Sequence, residues 1–176
     1  FLALNRNKRS ITLDLKDAEA RESFYSLVRS ADVVIENFRP GVAARLGVDY
    51  DTLTDVRPDI IYASISGFGQ TGPYAERPGF DLIAQGMSGI MSVTGEPGGK
   101  PVKCGVPISD LGAGLYCAVA ILSAYIHRQR TGEGQHVETS LFEAAVALSV
   151  WESTEYWTTG DVPIAFGTAH RLNVPN

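Results

Sequence analysis

The sequence predicts an α/β fold, a Rossmann-like open parallel sheet with flanking helices. Three observations carry that expectation. Candidate strands alternate with helical stretches in the order strand, helix, strand, short helices, strand, the pattern that crossover-connected parallel sheets require. Ala31–Ile35 is a short apolar run of the kind that strands covered on both faces show. And 176 residues with 44% hydrophobic and 20% charged side chains suffice for one substantial core.

In chain order, Ile11–Leu15 alternates and predicts a first strand. Residues 17–30 predict an amphipathic helix, with Ala20, Phe24, Leu27 and Val28 on one face and Asp17 at its start. Ala31–Ile35 follows as a strand, and the Pro40-Gly41 step makes Asn37–Gly41 a turn. Short helices are expected at 42–46 and at 51–56, the second capped by Asp51, and Asp59–Ile65 is a third strand bounded by Pro58 and Gly67. Ser66–Gly79 holds four Gly and two Pro and predicts a long loop, a length that usually marks function. Phe80–Val93 reads as a helix with Asp81 near its start, and Gly95–Gly99 as a turn. A long helix then begins at Ser109, a good N-cap, with the uninterrupted apolar spacing Leu111, Leu115, Val119, Leu122, Ile126, and it is rich in Gly and Ala as a tightly packed core helix would be. Thr131–Gly134 breaks the chain, Gln135–Thr139 predicts a strand, and Leu141–Trp157 a final helix. Residues 1–157 carry the α/β pattern, and from Thr158 onward the chain is polar, Gly-containing and aperiodic, as a linker would be. Phe1 and the Val174–Asn176 end read as cuts within a longer protein.

A net charge of −5 gives no general attraction to nucleic acid or anionic membranes, so an anion site must be a local cluster of cations. No run of about 18 uninterrupted apolar residues argues for a membrane span. Cys104 and Cys117 fit neither a disulfide framework nor a metal site, and reduced thiols in a cytoplasmic protein are expected. The three histidines are not spaced with Cys or carboxylates as a metal set, so no metal is expected. Glu152 and Glu155, one turn apart, read as solvated surface.

Asp110 is the leading catalytic candidate. In a helix's first turn a carboxylate meets unpaired N–H groups and the positive end of the helix dipole, both of which favour its ionised form. An ionised carboxylate at a loop–helix junction can attack an activated acyl group; the same residue is also a good first-turn residue for structural reasons alone. Arg39, with Arg45 and Lys16, can supply charge for phosphates, and Phe38 can stack on a flat base, although locally a Pro-Gly turn that links strand to helix, with solvated cations, explains them better. The glycines of Ser66–Gly69 permit close approach of a ligand or merely a tight turn, and their spacing matches no phosphate-cradle motif.

Five segments in register resemble one family. Asn5–Lys16, Ala31–Gly41, Ser64–Gly69, Asp110 with its glycines, and Arg130–Gln135 are similar to the family III CoA-transferases, the formyl-CoA and carnitine CoA-transferase group. The resemblance implies part of the large domain of an interlocked homodimer. It implies that Asp110 is the nucleophile: its carboxylate attacks an acyl-CoA to give a mixed anhydride, released CoA thiolate converts this to an aspartyl-CoA thioester, and an acceptor carboxylate reverses the cycle. CoA contacts carry over to Leu13, Asp14, Leu15, Lys16, Asn37, Phe38, Arg39, Arg45, Ser66, Gly67, Phe68 and Gly69. Ser66 stands where some members have Lys, and Phe68 where some have Tyr. Acyl-CoA and a carboxylic acid are the implied substrates, with no permanently bound cofactor and no nucleic-acid or membrane partner. A cytoplasmic location is expected, with mitochondrial or peroxisomal placement open. The family also holds 2-methylacyl-CoA racemases, whose histidine base lies in a Gly-His-Asp context. Here the matching run is Gly79-Phe80-Asp81, and phenylalanine cannot accept a proton. A CoA-binding remnant without turnover is the third reading. Phe68, Met87, Trp151 and Tyr156 are candidates for an acyl pocket or for core.

Overall fold

The computed structural model describes residues 2–170. Three strands, β1 (Val33–Glu36), β2 (Ile61–Ser66) and β3 (His136–Ser140), form one parallel sheet in the order β1-β2-β3. Val33 pairs with Ile61 and Tyr62 with His136, so all three strands direct their carboxyl ends to one edge. That edge is where open α/β sheets collect ligands.

Helix α1 (Ala18–Val28) starts where Asp17 accepts the Ala20 N–H at 2.8 Å. After β1 come α2 (Val42–Leu46) and α3 (Tyr50–Val56), as expected, although Asp49 rather than Asp51 occupies the cap position. Val28, Leu53, Ile60 and Tyr62 make the core cluster between these helices and the sheet, flanked by Phe24, Val34 and Val56. Burying each large aliphatic of this kind stabilises the fold by about 1.5–3 kcal/mol.

Four expectations are corrected. Ile11–Leu15 is not a strand: among the described residues nothing pairs with it, and Asp14 turns the chain by accepting the N–H of Lys16 at 3.0 Å. The helix expected over Phe80–Val93 is α4 (Asp81–Met87), stopped before Gly89, whose φ of +88° is outside helical space. A 3-10 turn, Ile90–Ser92, follows. The helix expected over Leu141–Trp157 is two, α6 (Leu141–Leu148) and α7 (Val150–Thr159), broken at Ser149.

The fourth correction concerns α5 (Ile108–Thr131). Its row Leu111, Leu115, Val119, Leu122, Ile126 is exposed, with Leu115 at 70%. The buried face is instead Ser109, Gly112, Ala113, Cys117 and Ala124. Small residues let α5 approach α6 closely: a Cβ on Gly112 would lie 3.0 Å from Leu148 Cδ1 and 3.4 Å from Ala144 Cβ. Ala84, Ala113, Leu141 and Ala144 form the second core cluster there. By length and composition α5 could cross a bilayer, yet it packs on the sheet by its small face and ends in a buried cation. Arg128, 6% exposed, reaches Asp32 Oδ1 at 2.7 Å and donates to the carbonyls of Asp32 and Asp59. Arg57 adds an ion pair to Asp59 at 2.9 Å, which holds the Asp59 carboxyl below the usual carboxylate range. The cluster joins the end of α5 to the starts of β1 and β2. Both cysteines are free thiols, Cys117 buried and Cys104 half-buried.

Candidate functional site

At the carboxyl edge of the sheet, the turn after β1 and the loop after β2 come together. Asn37 Nδ2 donates to the Ile65 carbonyl at 2.6 Å, tying the first turn to the end of β2. Glu36 accepts the Phe38 N–H at 2.6 Å, and Ser66 Oγ accepts the Gly69 N–H at 2.9 Å, so each loop is folded by the last side chain of its own strand. Between them lies a cleft of about 210 Å³, lined by Asn37, Phe38, Arg39 and Pro40 on one side and by Ser66, Gly67, Arg77, Pro78, Gly79 and Phe80 on the other. Two arginines, Arg39 and Arg77, line one small space, a residue pair suited to phosphate oxygens. Arg77 lies over the Tyr74 ring at 4.1 Å.

The far wall of the cleft leads to Asp110. Phe80 lines the cleft, and the next residue, Asp81, begins α4 and caps α5. Asp81 Oδ1 accepts the N–H of Ser109 at 2.9 Å and of Asp110 at 3.4 Å, and its Oδ2 accepts from Gln85 Nε2 at 2.6 Å. Gln85 is fully buried and fixed from the other end by accepting the Cys104 N–H at 2.8 Å.

Two expectations about Asp110 change accordingly. Ser109 is not the N-cap of α5: Pro107 occupies that position, and Ser109 is buried in the first turn with no hydrogen-bond partner for its hydroxyl among the described residues. Nor does the helix start hold the Asp110 carboxyl low. The N–H groups of Ile108 and Leu111 go to the carbonyls of Val106 and Pro107, and those of Ser109 and Asp110 to Asp81. With its first-turn amides taken, the helix offers no oxyanion donors from them. Partial burial, and then the charge of Asp81, push the Asp110 carboxyl above the usual carboxylate range.

The structure thus brings together Asn37, Phe38, Arg39, Ser66 and Gly67 in the cleft and joins them to Asp110 through Phe80 and Asp81. Phe68 turns away to pack edge-on against Tyr74 at 5.7 Å and against Phe142 at 6.0 Å, while Gly69 is buried beneath the loop. Arg45 is exposed on α2 beside Gly41. Leu13, Asp14, Leu15 and Lys16 lie outside the cleft lining and make local contacts, Leu15 accepting from Arg21 at 3.3 Å. Sequence reasoning does not reach Arg77, Gly79 or Gln85. Asp81 and Gln85 do carry a signal, a donor–acceptor pair four residues apart on a helix. The contact of Asp81 with residue 110 spans 29 positions and has none.

Comparison with known proteins finds relatives along the whole chain. Residues 1–176 match the family described as CoA-transferase family III. The chain is 49% identical over 170 residues to a succinate–glutarate CoA-transferase of Agrobacterium fabrum, covering 97% of this chain and 42% of that protein. It is 46% identical over 176 residues to an acetyl-CoA:oxalate CoA-transferase of Acetobacter aceti, covering 99% of this chain and 45% of that one. Among solved structures, a CAIB/BAIF family protein from Brucella suis superposes with a TM-score of 0.92 at 48% identity, over 97% of this chain and 45% of its own. The chain spans less than half the length of these relatives.

Proposed function

Because the chain belongs to CoA-transferase family III, we propose that it forms the CoA-holding and nucleophile-bearing part of an enzyme that moves CoA from an acyl-CoA thioester to a carboxylic acid. The observation that carries this reading is the continuity of the Asn37–Arg39 and Ser66–Gly67 cleft, through Phe80 and Asp81, with Asp110. In the proposed cycle an Asp110 oxygen bonds to the acyl carbon, the C–S bond breaks, and the electron pair leaves with sulfur as CoA thiolate. The thiolate then attacks the aspartyl carbonyl of the mixed anhydride, releasing the donor carboxylate and leaving an aspartyl-CoA thioester. The acceptor carboxylate attacks that thioester, thiolate departs again, and its return to the acceptor acyl carbon regenerates free Asp110. Arg39 and Arg77 pair with CoA phosphates, and Phe38, 40% exposed at the rim, stacks on a flat part of the cofactor. Leu13–Lys16, Arg45, Phe68 and Gly69 complete the CoA contacts in this reading.

Short dicarboxylic acids, of the kind named in the relatives, together with short acyl-CoA thioesters, are the substrate class proposed here. The reading extends to an interlocked homodimer in the cytoplasm, with residues 1–157 in the large domain and 158–176 leading toward a smaller one. Phe80 at the cleft, in place of a basic side chain, argues against proton abstraction as the chemistry.

The test uses the whole protein that carries this sequence. It is incubated with a panel of acyl-CoAs without acceptor, quenched with hydroxylamine or borohydride, and any modified residue is mapped by mass spectrometry. Modification confined to Asp110, and lost in Asp110→Asn, is the expected result. No adduct with any donor, together with exchange of the 2-proton of a branched acyl-CoA, overturns the reading in favour of racemisation. CoA binding with neither activity leaves a binding remnant instead.

A further inference from the structure

We propose that Asp81 is the positioning residue for Asp110, holding the nucleophile by its own backbone while placing a second negative charge beside it, and that Gln85 locks Asp81 in that task. The role of Asp110 as nucleophile rests on the function proposed above; the geometry of the pair does not.

One carboxylate oxygen of Asp81 accepts from two consecutive amides, Ser109 and Asp110, so it fixes the first turn of α5 at the reacting residue itself. The other oxygen is taken by Gln85 Nε2, whose opposite end accepts the Cys104 N–H from the segment leading into α5. With Gln85 fully buried, this chain of bonds ties the start of α5, through Ser109 at 2.9 Å and Asp110 at 3.4 Å, to the residue next to Phe80 in the cleft wall. Removing a group that fixes a reacting atom within a fraction of an ångström is costly even when the group never touches substrate.

The charge of Asp81 has a second consequence. A capping carboxylate normally steadies a helix N-terminus, yet here the next acid along is the nucleophile. Among the described residues Asp81 is the charged group that acts on Asp110; α6, which also packs on this end of α5, presents Ala144 and Leu148. Free Asp110 is therefore held against a like charge, and that repulsion vanishes when Asp110 is acylated, because anhydride and thioester are neutral. The arrangement favours the covalent states over the free carboxylate and leaves Asp110 a more basic, stronger nucleophile.

The experiment compares wild type, Asp81→Asn and Gln85→Met in the whole protein. Asp81→Asn keeps an acceptor for the two amides and removes the charge, while also giving up the bond from Gln85, a loss that Gln85→Met reproduces without the charge change. Turnover is expected to fall about 10- to 100-fold, with KM for the acyl-CoA changed less than about twofold. The acidic limb of the pH–rate profile, and the Asp110 carboxyl signal in a carbon-13 NMR titration, are expected to move to lower pH. Gln85→Met leaves the charge in place and loosens it, so turnover falls while the titration of Asp110 stays where wild type has it. A loss of turnover in Asp81→Asn with the limb and the NMR titration unmoved would mean a merely structural cap and overturns the proposal. Wild-type turnover in Gln85→Met overturns the lock. If wild type forms no Asp110 adduct while the NMR titration still shifts in Asp81→Asn, the transferase reading fails and the pairing of Asp81 with Asp110 stands.

Discussion

Gly67 and Gly79 are in backbone contact across the mouth of the long loop: a Cβ built on Gly67 would lie 2.4 Å from Gly79 Cα, and one on Gly79 only 2.1 Å from Gly67 Cα. Neither glycine has a positive φ. What each supplies is the absence of a side chain, which lets the loop close on itself and form one wall of the cleft. Gly67→Ala or Gly79→Ala forces the two strands of loop apart, and each is expected to cost about 1–3 kcal/mol. The check is the urea midpoint of each variant, with the double variant costing less than the sum of the singles, since one displacement relieves both overlaps.

Arg39 and Arg77 face the same cleft from opposite loops. Replacing either by Ala is expected to raise KM for the acyl-CoA about 5- to 20-fold with kcat little changed, the signature of lost ground-state binding. Steady-state kinetics at two salt concentrations decide it: the wild-type advantage narrows as ionic strength rises if the partner is phosphate. An Arg77→Ala variant with unaltered KM would remove that residue from the proposed CoA site.

Arg128 and Asp32 form an unequal pair, the guanidinium 5% exposed and the carboxylate 62%. Asp32→Asn leaves Arg128 two backbone carbonyls and the Asp59 carboxylate, and is expected to cost less than about 1 kcal/mol, as exposed pairs do. Arg128→Met strips a buried donor from several acceptors at once, for which about 2–4 kcal/mol is the expected loss. Thermal melts of the two variants side by side would contradict this if the costs came out equal.

Shifted carboxyl pKa values have a stability consequence of definite sign. The Asp110 carboxyl is pushed up on folding, so the native state prefers its protonated form. The stabilisation from that preference is full below the unfolded value of about 3.9 and is lost as pH rises through the native one. Asp110→Asn is therefore expected to be more stable than wild type at pH 7, and the gap is expected to close as the pH is lowered toward 3. Asp59 has the opposite sign: held low by Arg57, it contributes stability above about pH 4 that disappears on acidification. Melting curves of both Asn variants across pH 3 to 7 separate the two effects.

Much of the fold is legible because its signals are local. The Asp17 cap, the apolar runs of β1 and β2 and the Pro40-Gly41 turn each announce themselves within a few residues. The reading fails where a local signal competes with a distant partner. Ile11–Leu15 has the alternation of a strand but no neighbour among the described residues to pair with. On α5 the large aliphatics advertise a core face, yet α6 and the sheet choose the Gly–Ala face because only small residues allow helices so close. At the site, Asn37–Arg39 and Ser66–Gly67 are visible as loops after strands. The environment of Asp110 is not, since the acid that alters it comes from the start of another helix.

The sheet order also dictates a sequence of events during folding. β2 ends at Ser66 and β3 begins at His136, so their pairing closes a loop that contains α4 and α5. Non-local closures of this kind are slow, and they wait for the chain between them to be made. The β1–β2 half, with the Asn37 turn, is complete on a ribosome well before residue 110 has emerged. The first wall of the cleft and Asp110, the proposed nucleophile, therefore emerge at different stages. A nascent chain stalled between them would hold one wall of the cleft and lack Asp110.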